Sequence, residues 1–178
     1  PLAQMFGRLR GQYAGQAPAG ANARRQLGGR AGSKLAFTPA VRAETVVITG
    51  ASTGIGAACA WHLDRLGFTV LAGVRRIEDG DALKARASAR LQPVLLDVTD
   101  GASIEQARQA VAGLVGPRGL AGLVNNAGIA VAGPLEAVPI ADLRRQFEVN
   151  VIGQVAVTQA FLPLLRQGRG RIVNMGSI

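Results

Sequence analysis

The sequence predicts an α/β fold built around an open, doubly wound parallel sheet. From Glu44 onward, short runs rich in β-branched residues alternate with stretches of helical periodicity, which is typical of βαβ units. The runs are apolar almost throughout, as expected for strands that helices cover on both faces. Because crossovers between parallel strands are right-handed, we expect five strands in the order 3-2-1-4-5.

The first two strands and their helices follow from local patterns. The first strand is Thr45–Thr49 (TVVIT). The helix after it leaves a glycine-rich turn and ends near Leu66, where Gly67 supplies a helix C-cap. A second strand over Thr69–Gly73 precedes a helix over Asp81–Ala89, a stretch rich in good helix formers.

The second half of the chain repeats this alternation. A third strand, Pro93–Asp97, is followed by a helix over Ser103–Val115 and a fourth strand over Leu120–Val124. The remaining predicted elements are a loop over Asn125–Pro134, a long helix over Ile140–Leu165 that Gly168 ends, and a fifth strand over Arg171–Met175.

Composition excludes several kinds of protein. The 178 residues contain one cysteine, Cys59, and one histidine, His62, so neither a disulfide nor a metal site is expected. No uninterrupted apolar run reaches about 18 residues, which predicts no membrane span. Seven of the nine net positive charges lie in residues 1–43, which hold no acidic residue. We therefore expect a basic, disordered tail over 1–43 and a domain over 44–178.

The basic tail is compatible with three roles: an organellar targeting segment, a nucleic-acid-binding arm or a leader without function. No nucleic-acid-binding fold follows it, so nucleic acid is not an expected partner. A cytoplasmic location is expected, with organellar targeting as the alternative.

The turn after the first strand reads TGASTGIG over Thr49–Gly56. Glycines between a strand and a helix let backbone N–H groups approach a dinucleotide pyrophosphate at the helix N-terminus. The turn would make a Rossmann-like cofactor site, and a tight turn without a ligand is the alternative. The candidate contacts are Gly50, Ser52, Thr53, Gly54, Ile55 and Gly56.

The end of the second strand bears on the choice of cofactor. A carboxylate there would bind the ribose hydroxyls of NAD, but this chain has Arg75 and Arg76, and its next acid is Glu78. Guanidinium groups match a 2′-phosphate in charge and geometry, so NADP(H) is expected in preference to NAD(H), with Arg75 as the main phosphate contact and Arg76 as the second. The alternative is a pair of solvated arginines. Arg144 and Arg145, on the long helix, are also interpreted as solvated.

Further motifs in family order resemble the short-chain dehydrogenases/reductases. They are Asp97–Val98, the NNAG segment Asn125–Gly128, Asn150 in the long helix, and Ser177. The resemblance covers 44–178 and implies hydride transfer between NADP(H) and an alcohol or carbonyl substrate, in a parent protein that forms homo-oligomers.

The resemblance also implies roles for single residues. Asp97 and Val98 would contact adenine, although Asp97 could instead cap the turn at Thr99–Gly101. Asn125 would tie adjacent strands together. Asn126, Ala127 and Gly128 would line the adenosine ribose and the nicotinamide side, while Asn150 would hold a water for proton relay.

Ser177 would polarise the substrate carbonyl as a hydrogen-bond donor. The family's general acid is a Tyr farther along, followed by a Lys; the only tyrosine here is Tyr13, and no lysine follows Lys84. We therefore expect an amino-terminal portion of the enzyme, lacking the sixth and seventh strands and inactive alone. The alternatives are a non-catalytic dinucleotide-binding module and a nonfunctional truncated gene product.

Overall fold

The computed structural model describes residues 44–176. The predictions for the tail, 1–43, and for Ser177 lie outside these residues. The strands are β1 (Thr45–Ile48), β2 (Thr69–Val74), β3 (Leu91–Leu95), β4 (Gly122–Asn125) and β5 (Arg171–Asn174). The α-helices are α1 (Gly54–Arg65), α2 (Ile77–Lys84), α3 (Gly101–Val115), α4 (Ile140–Phe147) and α5 (Gln154–Gly168). A 3₁₀ turn spans Gly116–Arg118, and a π-helical segment spans Glu148–Gly153.

The strands form one parallel sheet in the order β3-β2-β1-β4-β5, which confirms the predicted topology. In the central strand β1, Val47 lies in register with Leu71 on β2 and with Leu123 on β4. The carboxyl ends of β1, β2 and β4 therefore meet along one edge. In a doubly wound sheet this edge, where the strand order reverses, is where ligands bind.

The core lies between the sheet and the helices that cover it. Val47, Leu71 and Leu123 pack in one buried cluster with Val111 of α3 and Phe161 of α5. Phe161 is fully buried, and burying a side chain of this size contributes about 1.5–3 kcal/mol. This packing holds α5 against the sheet whose strands carry the ligand-binding edge at their carboxyl ends.

The helix after β2 begins and ends earlier than predicted, because it occupies 77–84 rather than 81–89. Gly80, a poor helix former, lies inside it, and a Cβ there would come within 2.5 Å of Pro93 Cβ. Close packing on β3 thus outweighs local propensity. Pro93 itself is tolerated because β3 is an edge strand.

The long helix is interrupted where a single regular helix was predicted. Its π-helical turn brings Gly153 so near to Val98 that a Cβ would lie 2.6 Å from the Val98 carbonyl oxygen. Such turns are frequently found at functional sites. This one seats the helix directly against the loop after β3.

The helical stretch Ile140–Gly168 is, by length and composition alone, long and apolar enough to cross a membrane. The sequence-based expectation of no span required an uninterrupted apolar run, whereas a few charges are tolerated by this criterion. The same stretch supplies Val157, Phe161 and Leu165 to the core. A core helix meets the criterion equally well, so length and composition do not establish a span.

Candidate active site

The glycine-rich turn after β1 is shaped by close approach to the loop after β4. Gly50 has a positive φ of 62°, and a Cβ on it would lie 2.7 Å from Ala127 Cα. A Cβ on Gly56 would meet the Gly50 carbonyl oxygen and lie 2.5 Å from Asn126 Nδ2. Both positions therefore require glycine, as predicted. Gly54 also has a positive φ, of 57°, but a Cβ there would meet nothing.

Two polar side chains join the turn to the loop after β4. Thr49, buried at the end of β1, accepts at its hydroxyl from the N–H groups of Asn126 and Ala127, each at 3.0 Å. Asn126 Nδ2 in return donates to the carbonyl oxygens of Thr49 at 3.0 Å and Gly50 at 2.9 Å. Four hydrogen bonds that run in both directions therefore join the two loops.

The amino terminus of α1 lies beside these two loops and has no side-chain cap. Thr53 occupies the N-cap position without a capping hydrogen bond, and the first turn holds no acidic residue. Uncapped N–H groups and the helix dipole together favour an anion here. The turn is thus suited to a phosphate group.

The two arginines after β2 differ in their surroundings. Arg75 lies on the wall of the cavity described below, near enough to Asp97 to act on it electrostatically. Arg76 instead forms a bidentate ion pair with Asp79 in the first turn of α2, in which Nε and Nη2 each donate to a carboxylate oxygen at 3.3 Å. Arg76 was predicted as a second phosphate contact, but the structure does not bring it to the cavity.

Asp97 forms the capping contact that was one of its two predicted roles, and its contact with adenine stays a prediction. Its Oδ1 accepts from the Thr99 N–H at 2.9 Å and from the Thr99 hydroxyl at 2.7 Å. Burial alone would raise the pKa of Asp97, but these bonds and the nearby Arg75 outweigh it and lower the pKa below its ordinary value. The carboxylate also lies on the cavity wall and stays charged there.

A cavity of about 820 Å³ runs along the carboxyl edge of the strands, within the size range of cofactor sites. Most of the predicted contacts lie on its wall, namely Gly50, Ser52, Thr53, Ile55, Gly56, Arg75, Asp97, Val98, Asn126, Ala127 and Gly128. Gly54, Arg76 and Asn150 do not line it. The cavity therefore brings together groups from β1, β2, β3 and β4.

Asn125, predicted to be structural, and Asn150, predicted to be functional, both hold neighbouring segments in place. Asn125 Nδ2 donates to Thr158 Oγ1 and to Asn174 Oδ1, both at 2.9 Å, and so ties β4 to α5 and β5 as predicted. Asn150, in the π-helical turn, accepts from the Ile129 N–H at 2.9 Å and donates to the Ile129 carbonyl at 2.8 Å. Its predicted role in holding a water stays a prediction.

Several residues on the site were not predicted to belong to it. Arg144, Arg145, Glu148 and Val149 line the cavity. Glu148 and Val149 lie in the π-helical segment just before Asn150, and the two arginines lie one to two turns earlier on α4. Their nearness to Asn150 was the available signal, but two exposed arginines on a helix ordinarily face solvent. Tertiary packing of the helix against the loops, which local sequence does not reveal, brings them to the cavity.

The residues present fit a dinucleotide. A Cβ at Gly50 or Gly56 would collide with neighbouring protein atoms, so glycine keeps the turn tight. The N-terminus of α1 is open to a phosphate, and Arg75 adds positive charge at the end of β2. The fold and the cavity together define a dinucleotide-binding α/β domain.

The chain belongs to the short-chain dehydrogenase family, whose model, described as short chain dehydrogenase, matches residues 44–178. Mouse retinol dehydrogenase 5 is 44% identical over 134 residues, and bovine 17-beta-hydroxysteroid dehydrogenase type 6 is 46% identical over 134 residues. Each match covers 75% of this chain and 42% of the relative. The chain thus spans less than half the length of these curated relatives.

Solved structures agree with this assignment. A short-chain dehydrogenase from Streptomyces avermitilis superposes with a TM-score of 0.69 at 38% identity, over 76% of this chain and 49% of that one. NADPH-bound carbonyl reductase from chicken fatty liver superposes with a TM-score of 0.70 at 33% identity, over 77% and 60% of the two chains. The resemblance inferred from the motifs is confirmed.

Proposed function

We propose that the chain is the cofactor-binding part of an NADP(H)-preferring oxidoreductase that acts on alcohols and carbonyl compounds. The observation that carries the cofactor preference is Arg75, a guanidinium on the cavity wall at the end of β2, with no carboxylate between the end of β2 and Glu78. A guanidinium suits the 2′-phosphate of NADP. Support also comes from the carbonyl reductase structure, which is bound to NADPH.

The nicotinamide supplies the hydride chemistry when the cofactor is bound. The chain's own residues bind and orient it. The N–H groups at the start of α1 would hold the pyrophosphate, and Arg75 the 2′-phosphate. The bonds among Thr49, Asn126 and the turn keep the cavity in shape without rearrangement.

Titration of the purified chain with NADPH and NADH, followed by cofactor fluorescence, tests this function. We expect NADPH to bind more tightly than NADH. Equal affinities would contradict the preference, and absence of binding by either would contradict dinucleotide binding altogether.

We also propose that these 178 residues alone turn over no substrate. No lysine follows Lys84 and no tyrosine follows Tyr13, so residues 44–176 hold no Tyr–Lys pair of the kind that the family resemblance implies as proton donor. Steady reduction of a carbonyl compound by the purified chain with NADPH would refute this.

The substrate class is proposed from the relatives, which are named as retinol and 17-beta-hydroxysteroid dehydrogenases. We propose a large apolar alcohol and its carbonyl counterpart. In a longer protein that contains this chain, NADP⁺-dependent oxidation of retinol or a 17-hydroxysteroid, compared with ethanol as a control, tests the proposal. Faster turnover of ethanol would overturn it.

Self-association of the parent protein is supported by exposed apolar side chains along one helical stretch. Phe147, Val151, Ile152 and Val155 each expose 45–56% of their surface. Apolar surface gathered in this way is typical of an interface. We propose a homo-oligomer, located in the cytoplasm.

A further inference from the structure

Two arginines on α4 give the cavity a second positively charged wall. Arg144 and Arg145 both line the cavity and are both exposed. Within residues 44–176, neither guanidinium has a hydrogen bond or ion pair, whereas Arg76, Arg90 and Arg108 are each paired with a carboxylate. Glu148 shares the wall but is not paired with either of them. Their donors are therefore available to a ligand.

A pair of amide side chains fixes the helix that carries these arginines. Gln146 Oε1 accepts from the Val131 N–H at 2.5 Å, and Asn150, four residues later, binds both polar backbone atoms of Ile129. None of the residues of α4 is buried, so apolar packing does little to hold the helix in place. The Gln146 bond ties α4 itself to the loop after β4, and Asn150 ties the π-helical turn to the same loop.

The positive groups already assigned to the phosphates limit which part of the cofactor Arg144 and Arg145 can contact. In the proposed function, the pyrophosphate has the N-terminus of α1 and the 2′-phosphate has Arg75 on β2. The π-helical turn that follows α4 packs on Val98 through Gly153, and Val149 of the same turn lies on the cavity wall with Asp97 and Val98. Because the 2′-phosphate of NADP is carried by the ribose that bears adenine, Arg75 and the neighbouring Asp97 mark the adenine end of the cavity. Val149 places the helix beside this end. A purine ring is a good partner for a guanidinium plane, which stacks on it and donates to its ring nitrogens.

We propose that Arg144 and Arg145 contact the adenine ring of the bound dinucleotide, and that Gln146 is the positioning residue that holds them there. This inference rests on the proposed function. It assigns cofactor recognition to a helix whose arginines would otherwise be solvated.

The test measures NADPH and NADH binding to the full chain, to the double variant Arg144→Ala/Arg145→Ala, and to Arg166→Ala as an exposed arginine away from the cavity. Because adenine is common to both cofactors, we expect the double variant to bind each one roughly 5- to 30-fold more weakly. The ratio of the two affinities should not change, and Arg166→Ala should bind as the unmodified chain does.

The other outcomes overturn the inference in distinct ways. Unchanged binding of both cofactors would show that the two arginines are solvated and contact neither. A loss of affinity confined to NADPH would show that they contact the 2′-phosphate instead. If the unmodified chain bound neither cofactor, the proposed function would fail first and this inference with it. Circular dichroism of each variant establishes that the fold is retained.

Gln146 is tested by a pair of variants. Gln146→Leu keeps the size but removes the acceptor, so the Val131 amide should lose its protection from hydrogen exchange and both cofactors should bind more weakly. Gln146→Glu keeps an acceptor oxygen and should restore the protection and most of the affinity. Equal protection in Gln146→Leu and the unmodified chain would contradict the positioning role.

Discussion

Arg75 and Arg76 are adjacent in the sequence, yet their charges are used differently. Arg76 is committed to Asp79 at the start of α2, whereas Arg75 remains on the cavity wall. Sequence reasoning treated both as phosphate contacts, because the distinction depends on which guanidinium meets a carboxylate three residues later. Substituting each arginine in turn therefore tests whether Arg75 alone determines the preference for NADPH over NADH.

Arg75→Ala should weaken NADPH binding by about 2 kcal/mol, roughly 30-fold, through loss of a charge-assisted contact. NADH, which lacks the 2′-phosphate, should bind almost unchanged. Fluorescence titration of both cofactors measures this, with Arg76→Ala as the control that should leave both affinities nearly as they were. An equal loss for NADPH and NADH in Arg75→Ala would refute the phosphate contact.

Thr49 shows how one hydroxyl supports two loops. Thr49→Val would leave the N–H groups of Asn126 and Ala127 without their acceptor in a partly buried position. Each lost partner costs about 1–3 kcal/mol, so we expect the loss of both to lower the free energy of unfolding by about 2–6 kcal/mol. Urea denaturation measures the fall, and Thr49→Ser, which keeps the hydroxyl, should recover most of the stability. If Val and Ser gave equal stability, the hydroxyl would not be what joins the loops.

At the scale of elements, α1 anchors the connection between α2 and β3. Asp64, buried on α1, accepts from the Ser88 hydroxyl and, at 2.9 Å, from the Ser88 N–H, and Arg90 stands 3.6 Å away. Trp61, one turn earlier, donates to the Leu83 carbonyl at 3.1 Å and lies under Arg86. The same helix face therefore holds both ends of the connection.

The Asp64 anchor predicts a loss of stability in acid. Burial alone would raise the pKa of Asp64, but the Ser88 hydrogen bonds and the charges of Arg90 and Arg65 lower it below the ordinary 3.8. Because the folded state binds the proton less readily, the stabilisation is complete above pH 3.8 and is lost as the pH falls through the lower folded-state value.

Asp64→Asn should lower the free energy of unfolding at pH 7 by about 1–2 kcal/mol and should flatten its decline in acid. Denaturation followed by fluorescence of Trp61, the single tryptophan, measures both effects. Parallel pH dependences for the variant and the unmodified chain would show that other carboxylates set the acid response.

The elements that the sequence predicts well are those that depend on patterns among residues close together in the chain. Strand order followed from apolar runs and crossover handedness, and the glycine turn from its spacing. The bounds of α2 and the π-helical turn depend instead on Gly80 meeting Pro93 and on Gly153 meeting Val98. Such contacts join distant parts of the chain, so no local pattern encodes them, and the cavity-facing arginines of α4 were missed for the same reason.

At the scale of the whole molecule, an exposed apolar stripe along the interrupted helix from α4 to α5 bears on assembly. It consists of Phe147, Val151, Ile152 and Val155. Val151→Lys places a charge in the middle of the stripe and should shift a dimer or larger oligomer toward the monomer, since burying an unpaired charge is unfavourable. Light scattering coupled to size-exclusion chromatography measures the mass. Leu114→Lys, an equally exposed position on α3, should leave the mass unchanged, and a monomeric unmodified chain would contradict self-association through this stripe.

The bonds between Thr49 and the loop after β4 also have a consequence for the order of folding. Asn126 donates to carbonyl oxygens 77 and 76 positions earlier in the chain. During synthesis, the glycine-rich turn leaves the ribosome well before Asn126, so it cannot yet form its hydrogen bonds to that side chain. Contacts of such long range form late. We therefore expect the nascent chain to acquire its glycine-rich turn only once β4 has joined the sheet, however early the residues of that turn are made.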